Sequence, residues 1–181
     1  MVDTKGNRRA VFGGGPNDSV GLAMSDLKGV RLILECNQEK DSASLAMYGA
    51  DQTNRVLLTS VNDQSKLALG DKNGTPRMML VGDSQLPGLT VTDSTGRDVA
   101  GVRCLADLGP VVSLSDNNGK SRLRLQVEKT GPSVAIYDEK GTKRANLGVM
   151  ERTLPDGKKL TLPESSLLLN DADGKPVGTL P

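Results

Sequence analysis

One short motif, Asp-x-x-Gly, recurs along the chain at a nearly constant spacing and constrains the fold more than any other feature. The aspartates at 71, 93, 116 and 138 are separated by 22, 23 and 22 residues. Unrelated turns would not keep such a spacing, so we interpret the chain as a tandem repeat of one supersecondary unit. The complete copies are Asp3 with Gly6, Asp71 with Gly74, Asp93 with Gly96, Asp116 with Gly119, Asp138 with Gly141, and Asp171 with Gly174.

Two further copies are degenerate. Asp26 with Gly29 is complete but is followed by one residue fewer, and Asp51 has Asn54 at the glycine position. The spacing from Asp138 to Asp171 is longer than the others by about half a repeat. It predicts an insertion at about 151–165 on one side of the array. We therefore predict a single repeat domain spanning 1–181, with about eight modules of roughly 22 residues.

Apolar residues alternate with small or polar ones on both sides of each motif. Val134 and Ile136 precede Asp138, and Ala145 and Leu147 follow it. A period of two is typical of a strand with one buried face. Each module is therefore predicted to be a β-hairpin whose corner is the Asp-x-x-Gly motif.

The register of that hairpin follows from the requirement that both strands bury their apolar residues on the same side. A four-residue loop over 138–141, with Gly141 in the left-handed conformation, would pair Val134 with Ala145 and satisfy this requirement. A three-residue loop closed by a glycine bulge would pair Ile136 with Arg144 and split the apolar residues. We therefore predict the four-residue loop.

The same register predicts a row of arginines on the outer surface, each lying over a small residue of the neighbouring strand. The predicted pairs are Arg144 with Ala135, Arg122 with Ser113, and Arg77 with Ala68.

A hairpin with one apolar face is unstable alone and must pack against other copies. The predicted fold class is all-β, with the hairpin repeats forming a β-solenoid, roll or flattened sandwich around a dry aliphatic interior. A four-bladed propeller with two modules per blade is the alternative. Helices are not predicted, because no 3.6-residue apolar stripe persists beyond about two turns.

Composition argues against several classes of function. The chain has no histidine, which removes the commonest general base and metal ligand. Lysine and arginine total 23 against 22 aspartates and glutamates, so no net field attracts nucleic acid, and stacking platforms are few because only Phe12, Tyr48 and Tyr137 are aromatic. We predict no catalytic, cofactor-binding or metal-binding residues, no enzymatic activity and no nucleic-acid partner.

Two groups of residues have a functional reading that we do not prefer. Cys36 and Cys104 occupy matching places late in their strands on the apolar face, so we predict buried free thiols rather than a disulfide. Asp171, Asp173 and Gly174 could begin a calcium loop, but the later ligands are absent and the same position is an ordinary turn in other modules.

The segments VAIYDEKGTKRANLGV (134–149) and VSLSDNNGKSRLRLQV (112–127) resemble the tandem LxLxDxxGKxRAxLGV repeats of uncharacterised bacterial exported or envelope-anchored proteins. The resemblance implies a cell-envelope or extracellular location and often an N-terminal membrane segment, but no chemistry. The chain begins within a hairpin at Met1, Val2 and Asp3. We therefore expect a truncated start, with a membrane anchor outside this chain or a strand supplied by another copy.

The predicted function is a non-catalytic structural or interaction module of a bacterial envelope or extracellular assembly, with protein partners or self-association. The alternative is a binding module for a glycan, an anionic polymer or a protein partner. That module would use the outer face or the inserted loop at 154–163.

Overall fold

A computed structural model describes residues 1–15, 18–106, 108–129, 131–153, 157–162 and 166–180. Every regular element in these ranges is a β-strand, and paired strands run antiparallel throughout. The all-β fold class with tandem hairpins is therefore confirmed. The described part of the chain contains no helix with the length and apolarity that crossing a bilayer requires.

The chain divides into two compact units, Met1–Gly96 and Arg97–Pro181. The description of the chain as one repeat domain of about eight modules stays a prediction. In unit 1, eight strands pair in chain order without interruption, whereas propeller blades would be separate four-stranded sheets. These strands are β1 (Ala10–Gly14), β2 (Ser19–Asp26), β3 (Gly29–Asn37), β4 (Ser42–Tyr48), β5 (Asn54–Val61), β6 (Gln64–Gly70), β7 (Pro76–Gly82) and β8 (Gly88–Thr92).

Unit 2 repeats the pattern and adds a short ribbon. The ribbon consists of β14 (Met150–Thr153) and β15 (Lys159–Leu162), which pair only with each other at the position of the predicted insertion. Of that insertion, 154–156 and 163–165 lie outside the described residues. The other strands, in hydrogen-bonded order, are β9 (Asp98–Leu105), β10 (Gly109–Ser115), β11 (Ser121–Glu128), β12 (Gly131–Tyr137), β13 (Lys143–Gly148), β16 (Leu167–Asn170) and β17 (Pro176–Leu180).

The corner of each hairpin is tighter than the sequence analysis predicts. The N–H of Gly141 donates to the Asp138 carbonyl at 3.0 Å, and the N–H of Asp138 donates to the Thr142 carbonyl at 3.0 Å. Three residues therefore form the loop, and Gly141 closes it at φ 84°. The predicted four-residue loop is wrong, and the rejected loop with a glycine bulge is the one that forms.

A second irregularity compensates for the first. Tyr137 pairs with Lys143 but Ile136 pairs with Ala145, so Arg144 is an extra residue in its strand. This bulge shifts the register by one residue and returns the apolar side chains of both strands to the same face. A single glycine bulge would split the apolar residues between the two faces, and only the second bulge makes the three-residue loop compatible with one apolar face.

The predicted coincidence of the apolar faces is confirmed, although the pairs differ. Val134 pairs with Leu147 instead of Ala145. The predicted pairs of arginines with small residues are also wrong, because each of those arginines is the extra residue of a bulge. The observed partners are Ala135 with Arg124 and Asn146, Ser113 with Gly101 and Arg124, and Ala68 with Leu57 and Met79.

One of the two degenerate corners lies elsewhere than predicted. The N–H of Gln52 donates to the Gly49 carbonyl at 3.1 Å, and Gln52 takes the left-handed φ of 62°. Gly49 and Gln52 therefore occupy the places of the motif's aspartate and glycine, while Asn54 already belongs to β5. Asp26 and Gly29 do form a corner, where they pair directly across a two-residue loop.

We predict that Gly141→Ala destabilises the protein by about 1–2 kcal/mol, because an L-residue with a side chain disfavours left-handed backbone by that amount. No atom lies within 4 Å of the added methyl group, so the effect isolates backbone strain. Gly13→Ala is the matched control, since Gly13 also has open space but no left-handed φ. Urea unfolding should separate the two variants, and equal stabilities would contradict the assigned corner.

Candidate functional site: an exposed aliphatic face

Cross-strand pairing aligns side chains from all eight strands of unit 1 into rows on one side of the sheet. The central row, which we call the leucine row, contains Phe12, Leu22, Leu34, Leu45, Leu58, Leu67, Leu80 and Leu89. Directly opposed residues have Cβ atoms about 5 Å apart, so neighbours along the row are in contact. A second row beside it contains Ala10, Met24, Leu32, Met47, Val56, Leu69, Met78 and Val91.

A third row, on the other side of the leucine row, has small side chains. Its members are Gly14, Val20, Cys36, Ala43, Ser60, Ser65 and Gly82. We call the three rows together the aliphatic face. None of its residues is charged.

The aliphatic face is only partly covered. Leu34 and Leu58 remain 47% exposed and Leu80 remains 52% exposed. Their contacts are with row neighbours, and in the described part of unit 1 the sheet is a single layer. The prediction of a dry aliphatic interior is therefore wrong for this surface, because a row of leucines shields its members sideways but not from above.

The best-buried apolar residues lie on the opposite side of the sheet. Ala46 is 5% exposed between Ile33 and Leu57, and Ala68 is 8% exposed between Leu57 and Met79. Large and small side chains alternate along this row, so the large ones close over the alanines. The side predicted to be the exterior thus contains the tighter packing.

Unit 2 has an aliphatic row of the same kind. It contains Val102, Val112, Leu125, Val134, Leu147 and Leu167. Around its middle lies a shallow depression of about 440 Å³ whose lining includes Val102, Leu125, Val127, Pro132 and Leu147. Its shape and its aliphatic lining suit an apolar group rather than a charged one.

Both cysteines are exposed free thiols. The prediction of free cysteines is confirmed and the prediction of their burial is wrong. Cys36 lies in the third row of the aliphatic face, and Cys104 pairs with Pro110 at an end of unit 2. Their exposure has the same cause as that of the leucines, since nothing described covers these faces.

The second repeated feature is the carboxylate of each corner. Oδ1 of Asp138 accepts hydrogen bonds from the N–H groups of Lys140 and Thr142, both at 2.9 Å. Oδ2 faces Arg144 Nη1 at 3.5 Å. The side chain thereby holds the loop N–H groups that no strand partner satisfies. The same two N–H donors are found in the corners of Asp3, Asp71, Asp116, Asp138 and Asp171.

The bulge arginine stands six residues after the corner aspartate in four modules and forms an ion pair with it. These pairs are Asp3 with Arg9, Asp71 with Arg77, Asp116 with Arg122, and Asp138 with Arg144. The arginines stand at a constant offset from the aspartates in the sequence, which the predicted row of outer arginines did not use. That offset was the available signal for the pairing.

Several bulge arginines also reach the corner of the next module. Arg77 Nε donates to the Thr92 carbonyl at 3.1 Å, and Arg144 Nε donates to the Asn170 carbonyl at 3.0 Å. Arg55 likewise donates to the Asp71 carbonyl. Successive corners are therefore joined through side chains as well as through the strands.

The candidate calcium residues form such a corner. Oδ1 of Asp171 accepts hydrogen bonds from the N–H groups of Asp173 and Lys175, at 2.9 and 2.8 Å. The described residues contain no group of three or more carboxylate or thiol side chains placed to hold a metal ion. The turn interpretation of Asp171 is thus supported by its hydrogen bonds.

Hydrogen bonding keeps the pKa of several corner carboxyls below the usual range. The N–H of Thr142 has the largest effect on the pKa of Asp138, and backbone N–H bonding lowers the pKa of Asp116 in the same way. At Asp3 the side-chain amide of Asn7 contributes most, and the pKa falls to about 2. Donors that favour the ionised form cause these shifts.

We predict that stability falls between about pH 4 and pH 2. Carboxyls with lowered folded pKa values stabilise the protein fully above their unfolded pKa of about 3.9, and this contribution is lost as the pH falls through the folded values. Little change is expected between pH 5 and pH 7, because the chain has no histidine. Thermal unfolding at each pH measures the profile, and a flat profile down to pH 2 would refute the role of the corners.

Asp138→Asn should lower stability at pH 7 and match the wild type more closely near pH 2, because it removes only the charge that titrates. Asp63→Asn is the matched control, since Asp63 is an exposed turn carboxylate outside the corners. It should leave the pH profile unchanged. An equal loss in both variants would mean that the corner carboxylates have no special role.

No family model and no curated protein matches this chain. The resemblance to tandem repeats of bacterial exported proteins therefore rests on the repeat residues themselves. The structure supports the tandem-hairpin architecture that this resemblance implies, because the modules are consecutive antiparallel hairpins with a shared corner geometry. What can be assigned is thus a repeat architecture with an exposed aliphatic face.

Proposed function

We propose that this protein is a non-catalytic structural or interaction module of a bacterial envelope or extracellular assembly. The exposed aliphatic face of unit 1 is the observation that carries the proposal. Scattered exposed leucines are normal on protein surfaces, but contiguous apolar patches mark sites of interaction. Here the leucine row runs without a gap across eight strands, and its members on alternate strands remain 47–76% exposed, namely Phe12, Leu34, Leu58 and Leu80.

The chemistry of the side chains supports a non-catalytic role. The chain has no histidine, and the carboxylates of the corners are engaged with loop N–H groups and arginines. A catalytic carboxylate usually has a pKa raised towards neutrality, whereas the pKa values of the Asp3, Asp116 and Asp138 carboxyls are lowered. These residues are suited to shaping the hairpins.

The proposed location rests on the resemblance of the repeats to those of exported and envelope-anchored bacterial proteins. The proposed partners are proteins or further copies of this chain. Nucleic acid is not proposed as a partner because positive and negative residues balance and the bulge arginines pair with corner aspartates.

The alternative, a binding module, is favoured by one observation. The depression in unit 2 has a mainly aliphatic lining that includes Val102, Leu125 and Val127. Sugars are usually bound by aromatic platforms and anionic polymers by cationic clusters, and the lining has neither. A protein partner that inserts an apolar side chain fits this lining better than a glycan or an anionic polymer does.

We predict that the protein associates at micromolar concentrations and binds neither polysaccharides nor phospholipid vesicles. The association would be driven by burial of exposed aliphatic surface. Size-exclusion chromatography with light scattering should give a mass that rises with concentration above the 19.1 kDa of one chain. A monomer that binds one small ligand tightly would contradict the structural role.

A further inference from the structure

We propose that the aliphatic face of unit 1 packs against the same face of a second copy of this chain. The inference rests on the proposed function and adds to it both the surface and the partner. The three rows of the aliphatic face are defined by strand pairing, so the hydrogen bonds of the sheet fix the positions of their residues.

The area of the face matches the requirement of a stable dimer. Strands lie about 4.8 Å apart and same-face residues about 6.8 Å apart along a strand, so two rows over eight strands and a third over seven cover at most about 38 by 20 Å. This is roughly 800 Å² per copy, which is about the area each partner contributes to a standard-size interface. The face therefore needs no additional surface to form a specific contact.

The relief of the face is complementary to itself. The leucine row is a ridge, and the third row beside it is a groove, since most of its members are glycine, alanine or serine. A two-fold axis along the leucine row lays all three rows of one copy over those of the other. The two leucine rows then meet, and the bulkier second row of each copy lies over the groove of the other. Sheets stacked face to face lie about 10 Å apart, which leaves space for one layer of interdigitated leucines.

The charge pattern favours another copy over a membrane surface. Proteins that lie on bilayers combine an apolar face with an excess of lysine and arginine and with aromatic residues at its border. In unit 1 the corner arginines pair with aspartates, as Arg9 does with Asp3 and Arg77 with Asp71. Phe12 is the only aromatic residue on the aliphatic face.

The test introduces charge on the face. Leu58→Glu and Leu80→Glu place a carboxylate in the leucine row at positions about half exposed in the single chain, so the fold should tolerate them. Each should weaken dimerisation by about 100-fold or more, because the charge would be buried at the interface. Thr59→Glu is the matched control, since Thr59 follows Leu58 but points to the other side of the sheet, opposite Ser44 and Lys66.

Sedimentation equilibrium measures the association, and circular dichroism verifies the fold of each variant. The wild type and Thr59→Glu should form dimers, whereas Leu58→Glu and Leu80→Glu should be monomers with unchanged spectra. If the wild type associates but both leucine variants associate equally well, the proposed face is wrong while the proposed function stands. A wild type that stays monomeric and binds no protein partner refutes both.

A thiol measurement tests the same face without a charged variant. In Cys104→Ala, Cys36 is the remaining thiol and lies in the groove. Its reaction with a maleimide should slow by about 10-fold or more as the protein concentration rises through the dimerisation range. In Cys36→Ala, Cys104 lies outside unit 1 and should react at a constant rate.

Two outcomes of the thiol measurement would overturn the proposal. A rate for Cys36 that is independent of concentration in a protein that dimerises would place the contact elsewhere. Slowing of that rate by phosphatidylcholine vesicles, in protein dilute enough to be monomeric, would assign the face to lipid.

Discussion

The structure depends on the hydrogen bonds between a corner aspartate and the N–H groups of its own loop. A tight loop exposes N–H groups that have no partner in the sheet, and the carboxylate satisfies two of them while its second oxygen faces an arginine. The loop conformation in turn fixes where the second strand begins. Because the corners of Asp3, Asp71, Asp116, Asp138 and Asp171 share these N–H bonds, neighbouring hairpins repeat with similar geometry and their side chains align into rows.

The two bulges of a hairpin such as β12–β13 connect this local chemistry to the surface of the protein. Closure of the loop by Gly141 alone would place the apolar residues of the two strands on opposite faces. The extra residue at Arg144 reverses that shift and also directs a cation to the corner that requires it. One arginine therefore determines both the register of the hairpin and the charge balance of its corner. The continuous aliphatic rows follow from this combination.

The sequence predicts the strands, the corners and the shared apolar face, since each depends on a pattern of period two or on a fixed motif. It does not predict the loop length, because two compensating bulges preserve the same alternation as none. The sequence also places the second degenerate corner at Asp51 instead of Gly49. There Gln52 adopts the left-handed conformation, which is uncommon for residues other than glycine, asparagine and aspartate. Exposure of Cys36 and of the leucine row could not be predicted either, since alternation identifies an apolar face but not what packs on it.

The arginines that reach the next corner have a consequence for how the array responds to force. Arg77 and Arg144 each donate a hydrogen bond to a carbonyl beside the following corner. These bonds, which act as clamps, link neighbouring hairpins at the strand ends where the corners lie. Tension applied along the strands loads these clamps and the interstrand hydrogen bonds together, in shear. Peeling from an edge loads them one after another. The array should therefore be mechanically anisotropic, stiff along its strands and easily unzipped across them.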